Sequence, residues 1–183
     1  MRYKPIILIT GASSGLGLAL AELLYKQDQY RTAITARRFS QLKLRQKFTE
    51  KDTFKIYELD ITHPKSRINC LDKIRHDWGD VDIIINNAGI CYRSVIEHMS
   101  EDDEQNQMST NYLGPIALIK QILPSMREKG RGKIINVSSV SGMIAMPTMA
   151  SYSASKHALE GASEALWYEM KPYGINVSLI QPG

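Results

Sequence analysis

The sequence predicts an α/β protein: a doubly wound parallel sheet of six strands with helices on both faces, forming a single domain over residues 1–183. Three observations predict it. Six short apolar runs alternate with segments of helical apolar spacing, the first run ends in the glycine-rich turn TGASSGLG at residues 10–17, and the fourth run is apolar almost throughout. A strand covered on both faces has that last property.

Pro5 to Thr10 is the first strand, and Leu16, Leu20, Leu23 and Leu24 recur behind it at helical spacing. Arg31 to Ala36 is the second strand, followed by a basic helix that Ser40 can cap and that lasts to about Lys51. Phe54 to Asp60 is the third. Pro64 opens a helix with Ile68, Leu71 and Ile74 inward, ending near Gly79, before the fourth strand, Val81 to Asn86. Ser100 and Asp103 match a capping box, and the acidic run that follows suits the positive end of a helix dipole. The long helix beyond it reaches about Lys129, with Pro115 and Pro124 predicting a kink or break. Lys133 to Ser138 is the fifth strand, Ser151 to Lys171 a helix, and Ile175 to Ile180 the sixth strand. In such a sheet, ligands bind at the carboxyl ends of the strands beside the switch in strand order.

Composition sets the outer bounds. Apolar residues at 43% and charged residues at 23% are globular values, and the chain is long enough for a core without disulfides. Cys70 and Cys91 form neither a disulfide framework nor a metal-ligand cluster, which fits a reducing, cytoplasmic setting and predicts no metal site. The N-terminal apolar run is too short for a signal core or a membrane span. A net charge of +4 reads as a solvated surface, so no nucleic-acid partner is expected, although the Arg37 to Lys55 segment is rich in Lys and Arg.

The turn at residues 10–17 is the first chemical signal. Gly11, Gly15 and Gly17 permit a tight turn and close approach of a pyrophosphate to amides at a helix N-terminus. Its spacing is neither GxGxxG nor a nucleoside-triphosphate loop with its lysine. The second strand ends in Ala36-Arg37-Arg38. An acidic residue there would bind the ribose hydroxyl of NAD, whereas guanidinium groups match a 2′-phosphate, so NADP(H) is favoured over NAD(H), the alternative being a solvated basic loop. Asp60 either contacts adenine or caps the turn before Pro64. In Asn86-Asn87-Ala88-Gly89 the amides can bind neighbouring strands while Gly89 leaves room for a ligand. Asn111 is a polar residue on an apolar helical face. Tyr152 and Lys156 are four residues apart and share one helix face, where an ammonium would lower the pKa of a phenol.

TGASSGLG, NNAG, Asn111, the serine pair at 138–139 and YSASK at 152–156, in this order, resemble the classical short-chain dehydrogenase/reductase family, a Rossmann-type fold. The resemblance covers the whole chain. It implies that Tyr152 is the general acid/base, that Lys156 tunes it and binds the nicotinamide ribose, that Ser139 holds the substrate oxygen, and that Asn111 supports a water-mediated proton relay. It also implies cofactor contacts from Gly11, Ser13, Ser14, Gly15, Leu16 and Gly17, from Arg37 and Arg38, from Asp60 and Ile61, from Asn87, Ala88 and Gly89, and from Pro182 and Gly183. The chemistry is coherent on its own terms, since reducing a ketone needs a hydride from the cofactor and a proton from the protein.

Ala154, Ala158, Ala162 and Ala165 make a small-residue stripe on a helix that, in the family, often packs against a second subunit, so a homodimer or homotetramer is expected; packing within one chain would leave the same stripe. The methionines from Met143 to Met149 stand where the family has substrate-facing residues, giving a small-molecule carbonyl or alcohol substrate, weakly apolar. After Gln181-Pro182-Gly183 the family continues through a substrate lid and a last strand, which are lacking here. The expectation is an NADP(H)-dependent oxidoreductase, the chain being a fragment of a longer protein. The alternative is a shortened, non-catalytic NADP-binding or regulatory module.

Overall fold

A computed structural model describes residues 3–27 and 29–183. Six parallel strands, β1 Ile6–Ile9, β2 Arg31–Ala36, β3 Phe54–Glu58, β4 Ile83–Asn86, β5 Gly132–Val137 and β6 Ile175–Ile180, form one sheet in the order β3-β2-β1-β4-β5-β6. The helices are α1 Gly15–Tyr25, α2 Arg38–Lys47, α3 Pro64–Trp78, α4 Glu101–Met108, α5 Gly114–Lys129 and α6 Ala150–Met170. Residues alternate across the sheet. Ile7 and Ile9 pack with α1 and α2, while Ile6 and Leu8 pack with α3, α5 and the end of α6, so both faces are covered. Strand order reverses between β1 and β4, and a crevice lies along the carboxyl ends of the strands there.

The predicted elements are all present, but several predicted faces differ. Leu16 and Leu23 are exposed, and α1 meets the sheet through Gly17, Ala21 and Leu24, because small side chains let the helix approach the strands closely. In α3, Ile68 is exposed in place of lying inward, and Arg67 is buried beside Cys70 and Ile74, its Nη1 donating to the Ile61 carbonyl at 2.6 Å. Ser40 does not cap α2. It lies inside the first turn, and the helix ends at Lys47 because Phe48 turns extended to place its ring against Tyr25 and Phe54, at 5.1 and 5.2 Å. Each such aromatic contact contributes roughly 0.5–1.5 kcal/mol.

The Ser100 cap forms as expected: its Oγ accepts from the Asp103 amide at 3.1 Å and donates to the Asp103 carboxylate at 2.8 Å. The expected break near Pro115 is a wide helical turn, Ser109–Leu113, between α4 and α5. Such single-turn insertions re-aim the side chains they carry. Pro124 lies within α5 without ending it.

Candidate active site

The crevice is a cleft of about 500 Å³ along the carboxyl ends of the strands. One end is the turn between β1 and α1. Gly11 has φ +68°, and a Cβ on it would come within 2.7 Å of Ala88 Cα, so the turn lies directly on the end of β4. A Cβ on Gly17 would come within 2.3 Å of Asn87 Nδ2 and 2.6 Å of Gly11 O. Asn87 occupies that space by donating from Nδ2 to the carbonyls of Thr10 and Gly11, both at 3.0 Å, as the paired-amide reading expects. Thr10 completes the lock, since its hydroxyl oxygen accepts from the amides of Asn87 and Ala88, both at 3.0 Å. The backbone of the turn is thereby left facing the cleft.

The other end is built by β5 and α6. Ser139, just beyond β5, Tyr152 in the first turn of α6 and Lys156 one turn later all line the cleft. Lys156 is 4% exposed, and its Nζ donates to the Val137 carbonyl at 2.8 Å, 5.7 Å from the centre of the Tyr152 ring. Asn111, carried by the wide turn, holds the floor together. Its Oδ1 accepts from the Ile90 amide at 2.9 Å, and its Nδ2 donates to the Ile90 carbonyl at 2.9 Å and to Ser155 Oγ at 3.0 Å. It therefore fastens the segment after β4 to the helix that carries Tyr152 and Lys156.

Comparison with known proteins agrees with this architecture. A family model described as short chain dehydrogenase matches residues 5–183. The chain belongs to the short-chain dehydrogenase family. It is 39% identical over 178 residues to a 3-ketodihydrosphingosine reductase of Bacteroides thetaiotaomicron, an alignment that takes in 97% of this chain and 63% of that protein. A short-chain dehydrogenase structure from Streptomyces avermitilis superposes with a TM-score of 0.92 at 33% identity, over 100% of this chain and 66% of that one. The structure of ElxO with NADP bound superposes with a TM-score of 0.90 at 29% identity, over 99% and 74%. The chain thus spans about two thirds of the lengths of these relatives.

The short-chain dehydrogenase fold binds a nicotinamide cofactor, and most of the residues expected to contact it do line the cleft. Gly11, Ser13, Ser14, Gly15 and Leu16 stand at the turn, Arg37 at the end of β2, Asp60 and Ile61 beyond β3, Asn87, Ala88 and Gly89 beyond β4, and Pro182 and Gly183 beyond β6. Three expected residues do not line it. Arg38 opens α2 with an exposed side chain outside the cleft, Gly17 packs beneath the turn, and Asn111 stands behind the wall.

Asp60 does the turn-capping work, its Oδ1 accepting from the Thr62 amide at 3.0 Å and from the Thr62 hydroxyl at 2.6 Å. Burial alone would raise its carboxyl, but the bonds from Thr62 and the neighbouring His63 outweigh burial and leave it below the ordinary range. Cleft residues that the motifs did not include are Ser40, Thr62 and Cys91 among others. Ser40 had a signal, a hydroxyl three residues past Arg37, that was spent on a helix cap.

The electrostatics of the catalytic end follow from burial. Tyr152 is half-buried, which raises its phenol; the hydrogen bond with Ser139 acts in the opposite sense, and the Cys91 thiol nearby adds to the rise. The phenol therefore stands above, not below, its usual value of 10.0. Burial pushes the Lys156 ammonium down to about 8, against the pull of Glu160 and Cys91.

Proposed function

We propose that this chain carries the cofactor site and catalytic residues of an NADP(H)-dependent oxidoreductase that interconverts a ketone and a secondary alcohol. The observation that carries this reading is that Ser139, Tyr152 and Lys156 meet in one cleft whose far end is lined by the glycine turn. The turn is open at Gly15, where a Cβ would meet no atom within 4 Å, and that space fits a pyrophosphate at the start of α1. Arg37 at the lip of β2, with Ser40 behind it, fits a 2′-phosphate.

A bound nicotinamide dinucleotide supplies or accepts the hydride. The protein supplies the rest. Tyr152 gives its phenolic proton to the substrate oxygen during reduction and takes it back during oxidation. Ser139 Oγ accepts from the Ser141 amide at 3.1 Å, which leaves its proton for the substrate oxygen as negative charge develops there. The Lys156 ammonium stabilises the phenolate that remains. Asn111 maintains the spacing of these groups and the floor of a proton path toward Lys156.

Met143, Ile144 and Met146 are exposed between Ser139 and Tyr152, and Val95 and Ile96 are exposed on the loop that pairs through Ser94 with Met149. These apolar side chains support a carbonyl substrate with an apolar group, as does a relative named for reduction of 3-ketodihydrosphingosine. Two free cysteines fit a reducing, cytoplasmic setting, and no helix among the described residues is long and apolar enough to cross a membrane.

The test is the loss of NADPH absorbance over a panel of ketones of increasing apolar length, with wild-type protein and Tyr152→Phe. Wild type is expected to turn over the longer ketones, and the variant to lose roughly 10²–10⁴-fold in kcat while still binding NADPH. Equal turnover by the two proteins would remove Tyr152 from the mechanism.

A further inference from the structure

Glu160 lies one turn beyond Lys156 on α6, so the two side chains share a face of the helix. Its carboxylate stands where three segments of the site meet. Oε2 accepts from Gln181 Nε2 at 3.0 Å, and Gln181 directly precedes Pro182 and Gly183, which line the cleft. Oε1 is buried without a hydrogen-bond partner, and so is the hydroxyl of Ser138, the residue before Ser139. These two atoms flank the same glycine. A Cβ on Gly142 would come to 2.8 Å from Ser138 Oγ and 3.3 Å from Glu160 Oε1. One atom is an unpaired acceptor and the other carries an unpaired donor, so each supplies what the other lacks.

The same carboxylate lies one helical turn from the buried lysine. The groups around Lys156 are Glu160 on its own helix, the Cys91 thiol from the segment after β4, the Tyr152 ring and the Val137 carbonyl at the end of β5. Of these, Glu160 opposes the effect of burial most strongly and Cys91 second.

We infer that Glu160 is a positioning residue of the site: its carboxylate supplies the counter-charge of Lys156 from one turn along α6, stands beside Ser138 Oγ across Gly142, and ties the Gln181 to Gly183 segment to the catalytic helix. The inference rests on reading the cleft as an oxidoreductase site. Glu160 reaches Lys156 from one turn away, which leaves the ammonium free for Val137 and for the face toward Tyr152. The carboxylate also joins the helix that carries Lys156 to the segment beyond β6, so the positions of Lys156 and of the Gln181 to Gly183 segment are set together.

The experiment follows the lysine side chain directly. Full-length protein, free of cofactor and substrate, is labelled with ¹³C-lysine, and the Lys156 signal is assigned by its loss in Lys156→Arg and titrated by NMR. The wild-type midpoint is expected near 8. In Glu160→Gln, which keeps an acceptor for Gln181 but no charge, it falls by roughly one pH unit, and Glu160→Asp restores part of the shift. The alkaline limb of kcat/KM moves down by the same interval. An unchanged midpoint in folded Glu160→Gln overturns the inference, as does a pH profile that stays put while the midpoint moves. A shifted midpoint in a protein that turns over no ketone removes the proposed reaction and leaves Glu160 as the counter-charge of Lys156.

Discussion

Arg37 and Arg38 are neighbours in the sequence with the same chemistry, and the fold separates them. Arg37 is the last residue before α2 and lines the cleft, whereas Arg38 has already entered the helix and does not. Replacing Arg37 with Ala is therefore expected to weaken NADPH by about 10–100-fold, the worth of one or two charge-assisted hydrogen bonds, and to leave NADH nearly unchanged. Arg38→Ala changes neither by more than a small factor. Fluorescence titration of the four combinations checks this, and equal losses for the two variants would place the 2′-phosphate elsewhere. Ser139, Tyr152 and Lys156 were legible in the sequence because an ordered set of motifs resembles that of a known family, and the fold brings the three to one cleft. Cys91 was not, because a cysteine beyond a strand end acquires meaning only when the loops around it are placed.

Periodicity locates helices well and assigns their faces less well. In α1 the leucines suggested an apolar stripe, and Leu20 and Leu24 do pack on the core, but Leu16 and Leu23 are exposed and Gly17 and Ala21 complete the contact, because here the helix must approach the sheet closely enough to present its N-terminus to the cleft. In α3, hydrophobicity could not foresee that Arg67 is buried while Ile68 is exposed, since the cause is a backbone carbonyl in need of a donor. The far end of α3 carries a testable electrostatic seam. Asp77 accepts from Lys55 Nζ and from the Tyr57 hydroxyl, both at 2.8 Å, and so joins α3 to β3. The bond from Lys55, followed by that from Tyr57, holds its carboxyl at about 2 instead of the usual 3.8. A carboxyl depressed in the folded state stabilises the fold above its unfolded pKa, and the contribution is lost as pH falls through the folded value. Wild type is thus expected to lose stability between about pH 4 and pH 2 by this route. Asp77→Asn lacks that loss and has a lower Tm at neutral pH. Melting curves across the acid range decide it; parallel curves for the two proteins would show that the seam contributes nothing.

At the scale of the molecule, the alternation of strands and helices determined the parallel sheet, and with it the crevice between β1 and β4 where the motifs converge. Assembly was not legible in the same way, because a small-residue stripe reads alike whether it packs within one chain or between two. In the fold, the stripe faces outward. Ala154 and Ala165 are exposed on α6, Trp167 and Tyr168 are 41% and 63% exposed beyond them, and a Cβ on Gly161 would meet no atom within 4 Å. An arginine at Gly161 therefore has room in a single chain, while at a helix-to-helix contact between two subunits it would bury an unpaired charge. If α6 forms the subunit contact, Gly161→Arg is expected to reduce the mass measured by light scattering from that of a dimer or tetramer toward a smaller species, with secondary structure retained. The apparent Tm should then depend on concentration for wild type and much less for the variant, since association stabilises the folded chain by mass action. Two proteins of equal mass would remove α6 from the interface.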